Sequence, residues 1–286
     1  MVLMQKVEDN KIESVQSIYF SPTGNTKKIV KAIEKGIGLP IKRSIDLTLP
    51  KRRESWLGSI EGDLLLVGVP VHAGSYPALL LPYLKKLEGV DRWVVPVAVC
   101  GNAQMRNGLP DLSGVLKKQG FKIAAAANFV GQHSFCTEDI PMGEGRPDGR
   151  DLRVARSFGR KVAAKMGSDP TDISIMRGGN IWLRVYLTSS VDSQGSTFPA
   201  AMHTVIRVSE LDKTRCNNCQ GCVKSCPTGA IDSKTLQIND ATCIRCFACT
   251  YACPQGLRKK VVDPDSDLRA WFKKQGSERA DPQIFL

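Results

Sequence analysis

Eight of the ten cysteines lie within 38 residues and repeat one spacing twice. The first run contains Cys216, Cys219, Cys222 and Cys226, and the second contains Cys243, Cys246, Cys249 and Cys253. Each run reads C-x2-C-x2-C-x3-C and is followed directly by a proline, Pro227 or Pro254. The chain must therefore fold so that two compact cysteine clusters form, which constrains its structure more than any other feature.

This spacing predicts iron–sulfur chemistry. A [4Fe-4S] cube needs four thiolates at the corners of a tetrahedron, and a tight loop with a cysteine at every third residue can bind three of its irons. In a chain with two such runs, the fourth thiolate comes from the other run. We therefore predict that cluster I is bound by Cys216, Cys219, Cys222 and Cys253, and cluster II by Cys243, Cys246, Cys249 and Cys226.

Two other uses of the cysteines fit less well. Structural zinc usually takes two separated cysteine pairs per ion, and a disulfide framework requires an oxidising compartment. Cys100 and Cys136 stand alone after apolar stretches, and we predict that they are small buried hydrophobic residues rather than ligands. Arg245 lies inside the second run, where a cation would favour the reduced cluster, so we hypothesise that it raises the potential of cluster II.

The first 166 residues alternate between two kinds of apolar pattern. Strand patterns occur at 15–20, 41–47, 63–71, 93–100 and 122–130, and helical patterns at 27–38, 78–88, 111–119 and 150–166. Strands that alternate with helices predict an α/β fold, a parallel sheet with helices on both faces. Five strands fit the doubly wound order 2-1-3-4-5.

The loop after the first strand predicts a phosphate site. It reads Ser21-Pro22-Thr23-Gly24-Asn25-Thr26 and leads directly into a helix, whose first amides present donors and a positive dipole. The same composition would also suit a helix-capping loop without a ligand. The loop contains no lysine, so it is not a G-x-x-x-x-G-K-[ST] nucleotide loop, and no strand is followed by G-x-G-x-x-G.

Several segments resemble known proteins. The loop at 21–26 resembles the FMN phosphate loop of flavodoxins, the segment 68–77 resembles their second flavin loop, and Cys100-Gly101-Asn102 resembles the third. The segments 131–134, 145–148 and 281–286 resemble those of the flavodoxin–ferredoxin fusion proteins common in anaerobic bacteria and archaea. The resemblance covers most of the chain, except for residues 168–204.

The resemblance implies a domain organisation. Residues 1–166 would form a flavodoxin-like, doubly wound five-stranded domain that binds FMN. Residues 167–208 would be a connector, in which the apolar stretch 181–187 packs against either domain. Residues 209–256 would form a small α+β ferredoxin-like domain with two [4Fe-4S] clusters. Residues 257–286 would dock on the body of the protein, with Trp271 and Phe285 as anchors.

The resemblance also implies an FMN site. The phosphate would be bound by Ser21, Thr23, Gly24, Asn25 and Thr26, one side of the isoalloxazine by Pro70, Val71, His72, Ala73 and Gly74, and its other edge by Gly101 and Asn102. His72 and Cys100 stand where this family often has tyrosines, so we consider Tyr76 or Met105 as the residue that stacks on the flavin. For His133 we expect a hydrogen-bonded structural role.

Together these features predict an electron-transfer protein that passes single electrons between two [4Fe-4S] clusters and FMN. The alternative is a ferredoxin-linked, flavin-dependent reductase of a small organic substrate. Apolar residues make up 42% of the chain, with no apolar run long enough to span a bilayer and no secretory signal, so we expect a cytoplasmic protein. The net charge of +12 predicts acidic redox partners rather than nucleic acid, since the basic residues are scattered.

Overall fold

The computed structural model describes residues 12–102, 107–168, 170–176, 205–276 and 278–286. Met105 and the apolar stretch 181–187 lie outside these ranges, so the expectations for them stay untested. Within the described residues, no helix is long and apolar enough to cross a membrane.

The N-terminal part of the chain forms a parallel sheet. Its strands are β1 (Val15–Tyr19), β2 (Ile41–Asp46), β3 (Leu64–Pro70), β4 (Trp93–Cys100), β5 (Lys122–Ile123) and β6 (Ala126–Val130). The predicted fifth strand is split, because β5 pairs with the first half of β4 and β6 with its second half. With β5 and β6 taken as one interrupted strand, the order is 2-1-3-4-5, which confirms the flavodoxin-like fold.

Helices cover both faces of this sheet. They are α1 (Asn25–Ile37), α2 (Pro50–Glu54), α3 (Leu81–Leu84), α4 (Gly108–Lys118) and α5 (Gly149–Met166). Helices α1 and α5 pack on one face of the sheet and form an apolar core with it. Residues of α3 and α4 form a second core with the other face. Instead of the single helix predicted at 78–88, a 3₁₀ turn at Ala78–Leu80 leads into α3, whose start is favoured by Pro82.

Two glycines let α1 and α5 approach closely. A Cβ on Gly36 would lie 2.1 Å from the carbonyl oxygen of Arg156, and one on Gly159 would lie 2.3 Å from that of Ile33. Any larger residue would force the helices apart. Because α1 begins at the phosphate loop predicted from the sequence, this contact also fixes the position of that loop.

The C-terminal part of the chain contains short elements around the cysteine runs. They are β7 (Ile206–Val208), α6 (Gly221–Lys224), α7 (Ala248–Tyr251), β8 (Lys260–Val262), α8 (Asp267–Gly276) and β9 (Gln283–Phe285). Strands β7 and β8 pair in an antiparallel ribbon. The unit around the cysteines therefore begins inside the predicted connector and ends inside the predicted tail.

The sheet domain and the cysteine unit share an apolar core. Ile244, Cys246 and Ala248 of the second cysteine run belong to the same buried cluster as residues of β3 and α4. On the other side of the run, Phe247 packs with Phe135 from the segment that follows β6. The cysteine unit therefore packs against the sheet domain and shares buried core residues with it.

The C-terminal tail is fastened to the sheet. Strand β9 pairs antiparallel with β6 and adds an edge strand that the sequence did not predict. The anchors also differ from the expected pair. Phe272 is 4% exposed and Ile284 packs on the core, whereas Trp271 is only partly buried and Phe285 remains 38% exposed.

Candidate functional site

The loop after β1 is organised by hydrogen bonds around the start of α1. Gly24 has a φ of 87°, a left-handed conformation that favours glycine. The hydroxyl of Ser21 accepts from the Lys27 N–H at 3.0 Å, and the Gly24 carbonyl accepts from the Lys28 N–H. Ser21 therefore satisfies the Lys27 N–H, and the N–H groups of Asn25 and Thr26 are left for an anion, since the first turn has no intrahelical partner for them.

A tight hairpin turn follows β3. His72 and Ser75 exchange two backbone hydrogen bonds, and Ala73 and Gly74 between them both have positive φ angles, 48° and 87°. This combination is typical of a type I′ turn. The Ser75 hydroxyl donates to the Asp111 carboxylate at 2.6 Å, which fastens the turn to α4. The turn thereby holds His72 at the carboxyl end of the sheet.

These loops and two others surround a cleft of about 450 Å³, which includes open solvent. The cleft is lined by Ser21, Pro22, Thr23, Asn25, Thr26, Pro70, Val71, His72, Val99, Cys100, Gly101, Gly131, Gln132, His133, Ser134 and Cys246. It lies at the carboxyl ends of β1, β3, β4 and β6, where doubly wound sheets bind their ligands.

Eight of the twelve residues expected at the FMN site line this cleft, and four do not: Gly24, Ala73, Gly74 and Asn102. The first three shape the turns that carry their neighbours. Asn102 is buried and turned toward the tail, where its amide nitrogen donates to the Glu278 carbonyl at 2.7 Å and its oxygen accepts from Ala280 and Arg146. Its side chain therefore secures the C-terminal segment.

The amide of Asn25 also has a different partner from the one expected. It donates to the Gln132 carbonyl at 3.1 Å and so joins the phosphate loop to the segment after β6. Tyr76, considered above as a stacking residue, is buried in the core next to α4 and does not line the cleft. The aromatic side chains that do line the cleft are those of His72 and His133.

Both histidines are held neutral. Burial lowers the pKa of His72 to about 4. Burial, with smaller effects from His72 and Lys260, lowers the pKa of His133 to about 3. The Nδ1 atom of His133 accepts from the Phe135 N–H at 3.0 Å, whereas the buried Nδ1 of His72 has no hydrogen-bond partner among the described residues. An unpartnered buried polar atom in a cleft is the kind of group that a ligand satisfies.

Residues 131–134 were missed as site residues by the sequence analysis. The resemblance marked this segment as typical of one family but carried no FMN contact onto it. Gly101 provides the structural reason for its position, because a Cβ there would lie 2.3 Å from the His133 ring. The ring of His133 therefore rests directly on the backbone of the third loop.

A second cavity lies between the cysteine runs. Four thiols line it, three from the first run and one from the second: Cys216, Cys219, Cys222 and Cys253. Gln220, at φ 61°, starts the short helix that carries Cys222. The N–H of Leu257 donates to the sulfur of Cys253 at 3.3 Å.

The other four cysteines also lie near one another. Cys246 interacts electrostatically with Cys226, Cys243 and Cys249, and burial raises the pKa of its thiol well above the usual value. Burial likewise raises the pKa of Cys249 to about 12. The N–H of Ala230 donates to the sulfur of Cys226 at 3.2 Å. In the described residues, no group of three or more His, Cys, Asp or Glu could hold a single metal ion.

The two sets of cysteines differ in depth. In the first set, Cys219 is exposed and the other three are half-buried. In the second set, Cys226, Cys246 and Cys249 are buried. Cys246 also lines the cleft described above. The second set, in which only Cys243 is half-buried, is therefore the deeper of the two and reaches the cleft through Cys246.

The residues present fit both kinds of cofactor that the sequence predicted, the [4Fe-4S] clusters and FMN. Each set of four thiols provides the donors that a [4Fe-4S] cube takes. The cleft provides unpaired amides at a helix N-terminus, the hydroxyls of Thr23 and Thr26, and apolar walls, which suit a phosphate joined to a flat ring system. Cys100 and Cys136 are buried, as expected, and Cys100 belongs to the cleft wall.

Two regions of the chain are similar to known proteins. Residues 209–254 match the family model described as a 4Fe-4S dicluster domain. Three solved flavodoxins resemble the other part. One is from the domain Archaea, with 14% identity over 54% of this chain and 99% of that chain and a TM-score of 0.40. No curated protein matches the chain.

The other two are bacterial. The Streptococcus pneumonia TIGR4 flavodoxin is 16% identical over 53% of this chain and 99% of that chain, with a TM-score of 0.39. The Fusobacterium nucleatum flavodoxin bound to flavin mononucleotide is 14% identical over 55% of this chain and 99% of that chain, with a TM-score of 0.37. By its strand order and its matched segment, the chain joins a flavodoxin-like α/β domain to a 4Fe-4S dicluster domain.

Proposed function

We propose that this protein is an electron-transfer iron–sulfur flavoprotein that passes single electrons between two [4Fe-4S] clusters and one FMN. The observation that carries the proposal is the position of Cys246, which belongs to the second set of cysteines and also lines the cleft. A cluster held by that set would adjoin the flavin directly. Electron transfer slows steeply with distance, so such contact favours rapid exchange.

In this proposal the cluster ligands are those predicted from the sequence. Cluster I takes Cys216, Cys219, Cys222 and Cys253, which line one cavity, and cluster II takes Cys226, Cys243, Cys246 and Cys249. Residues 1–166 form the FMN-binding unit. In the cleft, Thr23, Thr26 and the amides at the start of α1 would bind the phosphate, and Pro70, Val71, His72 and Gly101 would line the ring. FMN would supply a centre that accepts one or two electrons together with protons.

The burial of the cysteines suggests where a partner docks. Cluster I would lie beneath the surface that exposes Cys219, whereas cluster II would lie deeper, with three of its four cysteines buried and Cys243 half-buried. Four exposed cations flank the first run against two exposed carboxylates: Lys213, Arg215, Lys224 and Lys259 against Glu210 and Asp212. Electrons would therefore pass between an acidic redox protein and cluster I, then through cluster II to the flavin.

This route is tested by removing one cluster at a time. The donor is a reduced, acidic two-cluster ferredoxin, mixed anaerobically with the holoprotein while the absorbance of the clusters and of FMN is followed. Cys249→Ser should leave cluster I reducible but slow the reduction of FMN. Cys219→Ser, as the matched variant, should slow the reduction of both cluster II and FMN. Unchanged FMN reduction in Cys249→Ser, with cluster II shown to be lost by iron content, would overturn the route.

The two histidines favour a second candidate function. A simple one-electron carrier does not require proton-binding side chains beside its flavin, but His72 and His133 both line the cleft and the Nδ1 of His72 is unpartnered. We therefore keep a flavin-dependent reductase of a small organic substrate as the alternative. A screen of small organic acceptors with the reduced protein separates the two. Turnover of one acceptor that is lost in His72→Ala supports the reductase, and no turnover of any acceptor supports the carrier.

A further inference from the structure

Arg258 is a buried cation for which the described part of the chain provides no ion pair with a carboxylate. Its residue is 4% exposed, and its side chain lines the cavity formed by Cys216, Cys219, Cys222 and Cys253. One nitrogen, Nη2, donates to the Leu236 carbonyl at 2.5 Å. The Nε atom is fully buried and has no hydrogen-bond partner among the residues that the structure describes.

Arg245 is a second buried cation, at the other set of cysteines. Its side chain is 1% exposed, and its Nη1 pairs with the carboxylate of Asp240 at 2.8 Å. Its Nε and Nη2 atoms are buried without a partner among the described residues. Its charge interacts with Cys243, which belongs to the second set. Arg245 therefore lies beside the second set, whereas Arg258 lines the cavity of the first set and also interacts electrostatically with Cys249 of the second.

Such groups are costly unless an anion compensates them. A guanidinium keeps its charge in proteins, and a buried charge is stable only when it is paired and its N–H groups are bonded. Four thiolates on a [4Fe-4S] cube make the cluster anionic, and its sulfurs accept hydrogen bonds. The clusters of the proposed function would therefore supply an anion for Arg258 and hydrogen-bond acceptors for the unpartnered Nε and Nη2 atoms of Arg245.

We propose that Arg258 and Arg245 are the internal counter-cations of cluster I and cluster II, respectively, and that each raises the reduction potential of its own cluster. Reduction adds one electron, and hence one negative charge, to a cluster, so a fixed cation beside it stabilises the reduced form more than the oxidised form. Asp240 opposes this effect at cluster II, because its carboxylate neutralises part of the charge of Arg245. The inference rests on the proposed function, since it requires both clusters.

The first test removes the charge of Arg258. Each cluster potential is measured by an anaerobic redox titration followed by EPR, with the iron content of each sample determined. Arg258→Gln should shift the potential of cluster I to a more negative value and that of cluster II by less. Lys259→Gln removes the neighbouring exposed charge and should produce a much smaller shift. Arg258→Lys, which keeps the charge, should recover part of the wild-type potential.

The second test uses a surface residue that is not required for cluster assembly. Asp240 is 65% exposed, and Asp240→Asn frees the full charge of Arg245, so cluster II should shift to a more positive potential. Arg245→Gln should shift it in the opposite direction. The inference is overturned if Arg258→Gln, with its full iron content, changes cluster I no more than Lys259→Gln does. If the Arg258→Gln protein fails to assemble cluster I, the second variant decides. The inference is then overturned if Asp240→Asn does not shift the potential of cluster II to a more positive value.

These results are distinguishable from failure of the proposed function. A wild-type protein that binds fewer than two clusters, as measured by its iron and sulfide content, would contradict the proposed function itself. A wild-type protein with both clusters, and with potentials that do not respond to Arg258 or Asp240, would contradict only the role of the arginines.

Discussion

Gly101 shows how closely the residues of the cleft are packed. The position requires a residue without a Cβ because the ring and the backbone of His133 would lie 2.3 and 2.6 Å from that atom. Such contacts are shorter than side chains tolerate, so a larger residue would displace the segment after β6. The same segment carries Gln132 and Ser134, which also line the cleft.

We therefore expect Gly101→Ala to destabilise the protein by about 1–3 kcal/mol and to weaken FMN binding, since the wall of the cleft must move. Gly114 is the matched control. It lies in the exposed interior of α4 with no atom within 4 Å of an added Cβ, so Gly114→Ala should stabilise by about 0.5–1 kcal/mol. Urea unfolding measures the stability of both variants, and FMN titration measures their affinity for FMN. Equal effects of the two substitutions would contradict this packing.

The two histidines of the cleft predict a dependence of stability on pH. Their pKa values in the folded protein, about 4 for His72 and about 3 for His133, lie below the ordinary value of about 6.5. The unfolded chain therefore binds more protons near pH 6, and stability is lost as the pH falls below 6.5. Between pH 7.5 and 5.5 each histidine should cost about 1 kcal/mol.

Anaerobic urea unfolding of the holoprotein at the two pH values measures this loss. His133→Gln, which cannot be protonated in this range, should reduce the difference between the two pH values by about half. A variant with the same pH dependence as the wild type would show that His133 is not held neutral.

At the scale of elements, the start of α5 connects the helix, the cleft and the tail. Asp148 caps the helix, and its side chain and that of Asp151 form a reciprocal capping box. Asp151 is also the buried partner of Arg146, which binds both of its carboxylate oxygens at 2.6 and 2.9 Å. Arg146 in turn donates to the Ala280 carbonyl at 2.7 Å and so holds the segment before β9.

Asp151→Asn should therefore destabilise the protein by about 3–5 kcal/mol, because it leaves the buried charge of Arg146 without its counter-ion. Asp148→Asn is the matched control. Asparagine caps a helix as well as aspartate does, and the ion pair of Asp148 with Arg279 is partly exposed, so the cost should be under about 1 kcal/mol. Thermal unfolding compares the two variants. A similar decrease in Tm for both would contradict the buried pair.

The elements also show how far the sequence predicts this fold. The strand patterns of β1, β3 and β4 are continuous enough to locate them, and their order follows from the alternation with helices. The sequence does not predict that β5 and β6 are separate, since the apolar residues from Ile123 to Ala127 continue through the break without a turn residue. It also does not predict β9, because three residues without an alternating pattern form a strand only when β6 offers them a free edge.

At the scale of the whole molecule, Arg53 joins the two parts of the chain. This residue from α2 is 6% exposed, and burial lowers its pKa. Its Nη1 donates to the carbonyls of Leu47 and Thr48, and its Nη2 donates to that of Pro227 at 2.6 Å. Pro227 directly follows Cys226, so this arginine positions the loop that carries a predicted ligand of cluster II.

Arg53→Met should destabilise the protein by about 3 kcal/mol, since buried carbonyls on both sides of the contact lose their donor. Arg52→Met is the matched control, because the side chain of Arg52 is 58% exposed and forms a surface ion pair with Asp46. Its cost should stay below about 1 kcal/mol. Urea unfolding of both variants measures the difference. Equal costs would show that the contact with Pro227 contributes nothing to the joining of the two parts.

The contact between the two parts is also where prediction from sequence fails. The spacing of the cysteines is sufficient to predict two sets of ligands, because it reflects local loop geometry. The position of Cys246 in the wall of the cleft depends on how Ile244 and Ala248 pack into the core of the sheet domain. No local pattern in the chain encodes that packing, so the proximity of the predicted cluster II and the cleft is visible only in the folded protein.

The central claim is that this chain holds one FMN in the cleft beside two [4Fe-4S] clusters. Its most direct test is the FMN, iron and acid-labile sulfide content of the anaerobically purified protein, followed by stepwise reduction with dithionite monitored by absorbance and EPR. The account predicts one FMN and about eight irons and eight sulfides per chain, all of them reducible. Eight irons without FMN, after reconstitution with FMN has been attempted, would contradict it.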